Sequence, residues 1–384
     1  MTSDRYAFRS FNPHIERLPV YNAGMSISRA REISGKEEIA RLASNENPYG
    51  CSPLVRAAFE AAAFEPWRYP DSQSTMLRRA LGERLNVVPE HIVVGNGSEE
   101  LIAAISRAVL VPGDVAVTVS PSFGLHEIEP LAAGARVVKV PMTRDLEFDI
   151  EALCEAIAAG PKLVFLSSPS NPVGCTLRQA GLEALVGAMR PGTLFVLDEA
   201  YFEYAQEDLP DSIALLKAAD VPFIVLRTFS KAYGLAGLRV GYAITQGAEM
   251  AGAIAITRTP FDVNLAAQAG ALAALQDDAW MKETVARTIA ERGSMAARLH
   301  GLGFKVSQSK SNSLFFNTGM DSTFVFDHLV REGVIVKPWR EPQYQEFIRV
   351  SIGTASENAL FLDRLAAVMS DYGPPAFKTQ AVEA

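Results

Sequence analysis

The chain has 384 residues, 48% hydrophobic and 21% charged, with a formal net charge of −8. At ~100–200 residues per domain this allows two or three globular domains, and the acidic balance lacks the basic footprint of a nucleic-acid binder. Cys51, Cys154 and Cys175 form no CxxC pair, so neither a disulfide framework nor a zinc site is expected, and a reducing cytoplasm is the simplest setting. The first twenty residues have no apolar h-region, and no run of ~18 apolar residues could span a membrane.

In chain order, residues 1–40 read as an extended arm broken by Pro13, Pro19 and Gly24. Residues 75–86 read as an amphipathic helix, 91–96 as a strand, and 98–110 as a helix with Ser98 as its N-cap and two acids in the first turn. Apolar strand runs follow at 115–120, 136–140, 162–168, 193–200 and 223–230, with helical patterns at 149–160 and 179–190. Strands alternating with helices predict an α/β fold whose mostly parallel sheet is covered on both faces. From about residue 275 a long helical pattern (279–303) leads into strands at 304–308, 312–318, 334–339 and 347–353 and helices at 322–332 and 356–371, a smaller α+β unit. The expected partition is an arm (1–40), a large domain (41–255), a small domain (256–371) and a loose tail (372–384).

In parallel sheets ligands sit beyond the carboxyl ends of the strands, so the residues after each apolar run carry the functional argument. GNGSEE (95–100) offers backbone N–H groups and a hydroxyl at a helix start, suited to phosphate. Phe123 follows the next strand and could present an aromatic face. Asn171, in SSPSNPVG, precedes Pro172 and is pushed to the extended region, where its carboxamide can donate into a cleft. Asp198 ends a hydrophobic run, where a carboxylate needs a partner, and Tyr201 follows it. Thr228, Ser230 and Lys231 end another strand, and Arg239 follows eight residues later. Each of these also has a bland reading as a turn, a cap or a core residue. Their order and joint presence are what point to one ligand, pyridoxal 5′-phosphate (PLP). It has an aldehyde for the Lys231 amine, a phenolic oxygen, a ring nitrogen and a phosphate.

With these motifs in view, the sequence resembles the fold-type I PLP-dependent aminotransferases of class I/II, and within them the histidinol-phosphate aminotransferase family. SNPVG, DEAY and SKAYGLAGLRVGY carry the wider resemblance; NENPYG, RYPD, PFDVN and RVSIGT carry the narrower one. The resemblance implies a PLP-dependent transferase fold with a seven-stranded sheet and a homodimer with active sites at its interface. It makes Lys231 the Schiff-base lysine and proton shuttle. Asp198 is the partner of the ring nitrogen, Asn171 and Tyr201 contact the phenolic oxygen, and Phe123 stacks on the ring. Gly97, Ser98, Glu99, Thr228, Ser230 and Arg239 surround the phosphate, and Tyr69 reaches it from the partner subunit. Arg349, Asn171 and Lys337 would face the substrate, with Lys337 standing where many members carry arginine. The implied reaction is ping-pong transamination between histidinol phosphate and 2-oxoglutarate, an amino donor and an oxo acceptor, in histidine biosynthesis. An aromatic amino acid aminotransferase and a decarboxylase of a phosphorylated amino acid are the alternatives. No metal, nucleic acid or membrane is expected as a partner.

Overall fold

A computed structural model of the chain describes residues 12, 14–61 and 65–374. Thirteen strands occur among them: β1 (Ala40–Arg41), β2 (Ile92–Gly95), β3 (Val115–Ser120), β4 (Arg136–Pro141), β5 (Leu163–Ser167), β6 (Leu194–Asp198), β7 (Phe223–Thr228), β8 (Gly241–Thr245), β9 (Lys305–Val306), β10 (Ser313–Asn317), β11 (Val334–Ile335), β12 (Lys337–Pro338) and β13 (Phe347–Ser351). Seven of them form one sheet in the order β2-β8-β7-β6-β5-β3-β4. It is parallel except for β8, which runs antiparallel to β2 and β7. β5, β6 and β7 are buried along their whole length, which is why they read as unbroken apolar runs rather than alternating ones. Helices cover both faces, and two cores form, one around Phe195 and Phe223 and one around Phe165 on the other side of the sheet.

A second, four-stranded antiparallel sheet has the order β12-β13-β10-β9. It packs against the long helix Asp278–Gly301 and the carboxy-terminal helix Ala355–Tyr372 around Phe316, Leu329 and Phe361. The amino-terminal segment is tied to this region: β1 pairs in parallel with β11, and Ala40 and Leu42 join its core.

Three local expectations need correction. The arm contains a two-turn helix, Ile27–Ser34, begun by the Ser26 hydroxyl accepting from the Arg29 amide and ended by Gly35 at φ 67°. β8 is not marked in the sequence, because GYAIT lacks the unbroken apolar run of β5–β7 and directly follows a glycine-studded loop. Ser98 is the first helical residue, and the cap position belongs to Gly97 at φ 83° with no side-chain cap. Its φ lies in the left-handed region that favours glycine, and a Cβ there would stand 2.8 Å from Arg239 Nη2. The tail expected at 372–384 falls, from residue 375 on, outside the described residues.

Candidate active site

The carboxyl ends of β3, β5, β6 and β7 open into a cavity of about 690 Å³, closed on its far side by Pro19–Ala23, Lys337–Pro342 and Arg349. Ser98, Glu99, Phe123, Asn171, Asp198, Tyr201, Thr228, Ser230, Lys231, Arg239, Lys337 and Arg349 all line it. Twelve positions chosen from separate stretches of sequence therefore converge on one space. Gly97 lies beneath Arg239. Tyr69 is apart: it is 79% exposed and stacks on Phe261 with ring centroids 4.5 Å apart.

Lys231 follows β7, where its Nζ donates to the Ser44 carbonyl at 3.1 Å. Burial, reinforced by the nearby Arg349 guanidinium, pulls its pKa down to about 8, so a neutral amine is accessible near neutral pH. The strand-end loop after it turns at Gly234, whose φ of 70° places it against the Gly50 carbonyl. Arg239 comes next at φ 61°, its Nη2 2.8 Å from Glu99 Oε2. Thr228 and Ser230 share a hydroxyl contact of 3.0 Å on the same side.

Asp198, at the end of β6, is buried with two partners. Oδ1 accepts the Ala200 amide at 3.0 Å, and Oδ2 meets His126 Nε2 at 3.2 Å. His126 is fully buried, lies parallel on Phe165 at 5.2 Å, and continues through Nδ1 to Ser122 at 3.3 Å and on to Thr118. His126 is not among the residues that the strand-end pattern of the sequence singles out. The signal was its place three residues after Phe123 at a helix start, which turns both rings to one face. Phe123 meets His126 edge-on at 5.6 Å.

The opposite wall carries cations. β12 and β13 are antiparallel neighbours with Lys337 directly across from Arg349, so both side chains leave the same face of the sheet. Arg349 Nη1 donates to Asn171 Oδ1 at 2.7 Å and Nη2 to the Ala43 carbonyl, while its buried Nε has no partner. Lys337 Nζ donates to the Asn22 carbonyl and lies 5.9 Å from the Tyr21 ring centroid. Burial first, then Arg349 and Arg340, lowers the Lys337 pKa to about 8.

The donor set suits PLP. A helix start with Ser98, the Thr228 and Ser230 hydroxyls and Arg239, now paired with Glu99, could together hold a dianion. Lys231, Asp198 and the Asn171–Tyr201 pair match the aldehyde, the ring nitrogen and the phenolic oxygen in chemistry.

The fold and this cleft define an aminotransferase. The family Aminotransferase class I and II matches residues 37–365, and the chain belongs to it. It is 42% identical over 94% of its length, and 98% of the relative's, to histidinol-phosphate aminotransferase 3 of Rhizobium meliloti. It is 40% identical to histidinol-phosphate aminotransferase 2 of Caulobacter vibrioides, over 93% of each chain. The crystal structure of histidinol-phosphate aminotransferase from Sinorhizobium meliloti in complex with pyridoxal-5′-phosphate matches with a TM-score of 0.86 and 30% identity, over 95% of this chain and 99% of that one. Among the described residues, no helix is long and apolar enough to cross a membrane.

Proposed function

We propose that this aminotransferase uses PLP to exchange an amino group between histidinol phosphate and 2-oxoglutarate; the names of its relatives carry the first of these substrates. The observation that carries the phosphorylated substrate is the Lys337–Arg349 pair. Two cations directly opposite on neighbouring strands repel each other, and both have pKa values lowered by burial. Such a pair is stabilised by an anion between them.

Bound PLP would supply an aldehyde for the amino group and a ring that accepts electrons from the substrate α-carbon. Lys231 would anchor that aldehyde and then take the α-carbon proton on Nζ; the lowered pKa keeps Nζ basic and unprotonated in a useful fraction near pH 8. Asp198, oriented by His126, would hold the ring nitrogen's proton. Asn171 and Tyr201 would donate to the phenolic oxygen, and Phe123 would cover one face of the ring. Ser98, Thr228, Ser230, Arg239 and the Gly97–Glu99 backbone would hold the phosphate. Arg349 would bind the glutamate carboxylate in one half-reaction and the substrate phosphate in the other, a double use that suits its planar fork.

The functional unit is proposed to be a cytoplasmic homodimer, with Tyr69 reaching the cleft of the partner subunit. Its exposed position beside Phe261, away from the cavity of its own chain, supports that reading. The two sheets support a large and a small domain, the segment around Ala40 belonging with the small one, whose core gathers Phe316, Leu329 and Phe361.

A substrate panel with glutamate as donor tests the function. Imidazole acetol phosphate should be preferred over phenylpyruvate and hydroxyphenylpyruvate. A preference for the aromatic oxo acids, or carbon dioxide release without an oxo acid, would replace this reading.

A further inference from the structure

Asn45 lies outside the set of groups assigned above, yet it is 1% exposed and held at φ 53°, a backbone region that few residues other than glycine and asparagine adopt. Its side chain touches Tyr201: Nδ2 donates to Tyr201 Oη at 2.9 Å and to Ser313 Oγ at 3.3 Å. The amide orientation is set from behind. The Asn45 backbone N–H donates to Ser351 Oγ at 2.8 Å, and that hydroxyl donates its own proton to Asn45 Oδ1 at 2.7 Å. Oδ1 is thereby committed to Ser351, which leaves Nδ2 for Tyr201. Asn312 Nδ2 holds the Asn45 carbonyl at 2.9 Å. All three anchors come from β10, β13 and the turn before β10, so the four-stranded sheet fixes a group that touches a residue beyond the end of β6.

A phenol that accepts a hydrogen bond from an amide keeps its own proton to donate elsewhere. Tyr201 stays protonated, its pKa pushed up to about 12 chiefly by burial. Among the described residues its hydroxyl donates to no protein acceptor, and it lines the cavity. Asn171 shows the same logic: Arg349 fills its Oδ1 and frees its Nδ2.

We propose that Asn45 is a positioning residue that sets the polarity of Tyr201, occupying an acceptor site of the phenol oxygen so that its proton is offered to the cofactor's phenolic oxygen. This rests on the PLP reading. A donor on that oxygen stabilises its negative charge and weakens its hold on the proton it shares with the Lys231 nitrogen. The pH at which the bound cofactor's visible band changes is then lower than it would be without the donor.

The test is a spectral pH titration of the purified full-length chain loaded with PLP, in four variants beside the wild type. Tyr201→Phe should raise the midpoint by roughly one pH unit, the size expected for loss of one hydrogen bond to a charged acceptor. Asn45→Asp offers an acceptor in the same shape, which draws the Tyr201 proton out of the cavity, so its midpoint should rise at least as far as that of Tyr201→Phe. The added carboxylate also raises the midpoint through space, and the double variant Asn45→Asp/Tyr201→Phe separates the two causes. Reversed polarity leaves the double variant level with Asn45→Asp alone, because the lost donor counts once, whereas a charge effect alone makes the two single shifts add. Asn45→Gly tolerates the positive φ and removes the amide, so it should fold and give a smaller rise. Asp198, Arg349 and Tyr21, which act on Tyr201, and Glu99, Glu46, Arg239 and Arg349, which act on Lys231, are unchanged throughout. The proposal is overturned if both single Asn45 variants keep the wild-type midpoint, if Tyr201→Phe does, or if the double variant shows simple addition. A wild-type chain that takes up no PLP overturns the functional reading and this inference together.

Discussion

The two walls of the cavity follow opposite electrostatic plans. On the wall made by β3, β5, β6 and β7, polar groups arrive already paired. Asp198 has His126 and an amide, Arg239 has Glu99, and Thr228 has Ser230. On the wall made by β12 and β13, Lys337 and Arg349 face each other with like charge, and one Arg349 nitrogen has no partner. A wall that holds a resident group can afford compensated donors that only need aiming. Under the proposed function the β12–β13 wall receives and releases two different anions, and its like charges stay uncompensated until one of them binds.

The largest expected effect lies on the paired wall. Lys231→Ala should lower transamination by at least about 10³-fold, the upper range for a missing proton-transfer group, measured as turnover with glutamate and an oxo acceptor. Activity within tenfold of wild type would remove Lys231 from the chemistry.

On the other wall, Arg349→Lys should lower kcat/KM for both glutamate and the phosphorylated substrate by about 10²-fold. A point charge replaces the fork, and Asn171 loses a buried, charge-assisted hydrogen bond. Loss for one substrate alone would show that the wall is divided between the anions rather than shared.

A pH profile sharpens the contrast further. In the free protein the Lys337 pKa is depressed to about 8, so the cation is present below pH 8 and is lost as pH rises through it. KM for the phosphorylated substrate should therefore climb above pH 8. Lys337→Arg keeps its charge over this range and should flatten the climb. An identical climb in both would assign it to another group.

The smallest effect concerns stability. Charging a buried lysine costs free energy in the folded state. That cost is fully present below pH 8, where folded Lys337 is protonated, and it is relieved as pH rises toward the unfolded value of 10.5. Lys337→Met should stabilise the ligand-free chain at pH 7 by about 1 kcal/mol after discounting for partial solvent access, read from denaturant midpoints. Destabilisation would mean that the contact with the Asn22 carbonyl outweighs the buried charge.

The same contrast explains what was legible in the sequence. Strand ends of a parallel sheet are marked by apolar runs, so Asn171, Asp198, Tyr201 and Lys231 could be found by reading the next few residues. The relay through His126 and Ser122 was hidden because its members are ordinary core residues until the fold stacks His126 on Phe165. Asn45 sat inside a recognised motif, but its partners Ser313 and Ser351 lie 268 and 306 residues away. No local pattern encodes that meeting. The opposition of Lys337 and Arg349 likewise needed the antiparallel register, which a spacing of twelve residues does not reveal.

The most direct measurement is the ratio of kcat/KM for histidinol phosphate to that for phenylalanine, in the wild type and in Lys337→Met. The two-cation wall should give a ratio well above one that falls by about 10-fold or more when the lysine's charge is removed, in line with a lost charge-assisted contact. A ratio unchanged by Lys337→Met would contradict the claim that the β12–β13 wall selects the phosphorylated substrate.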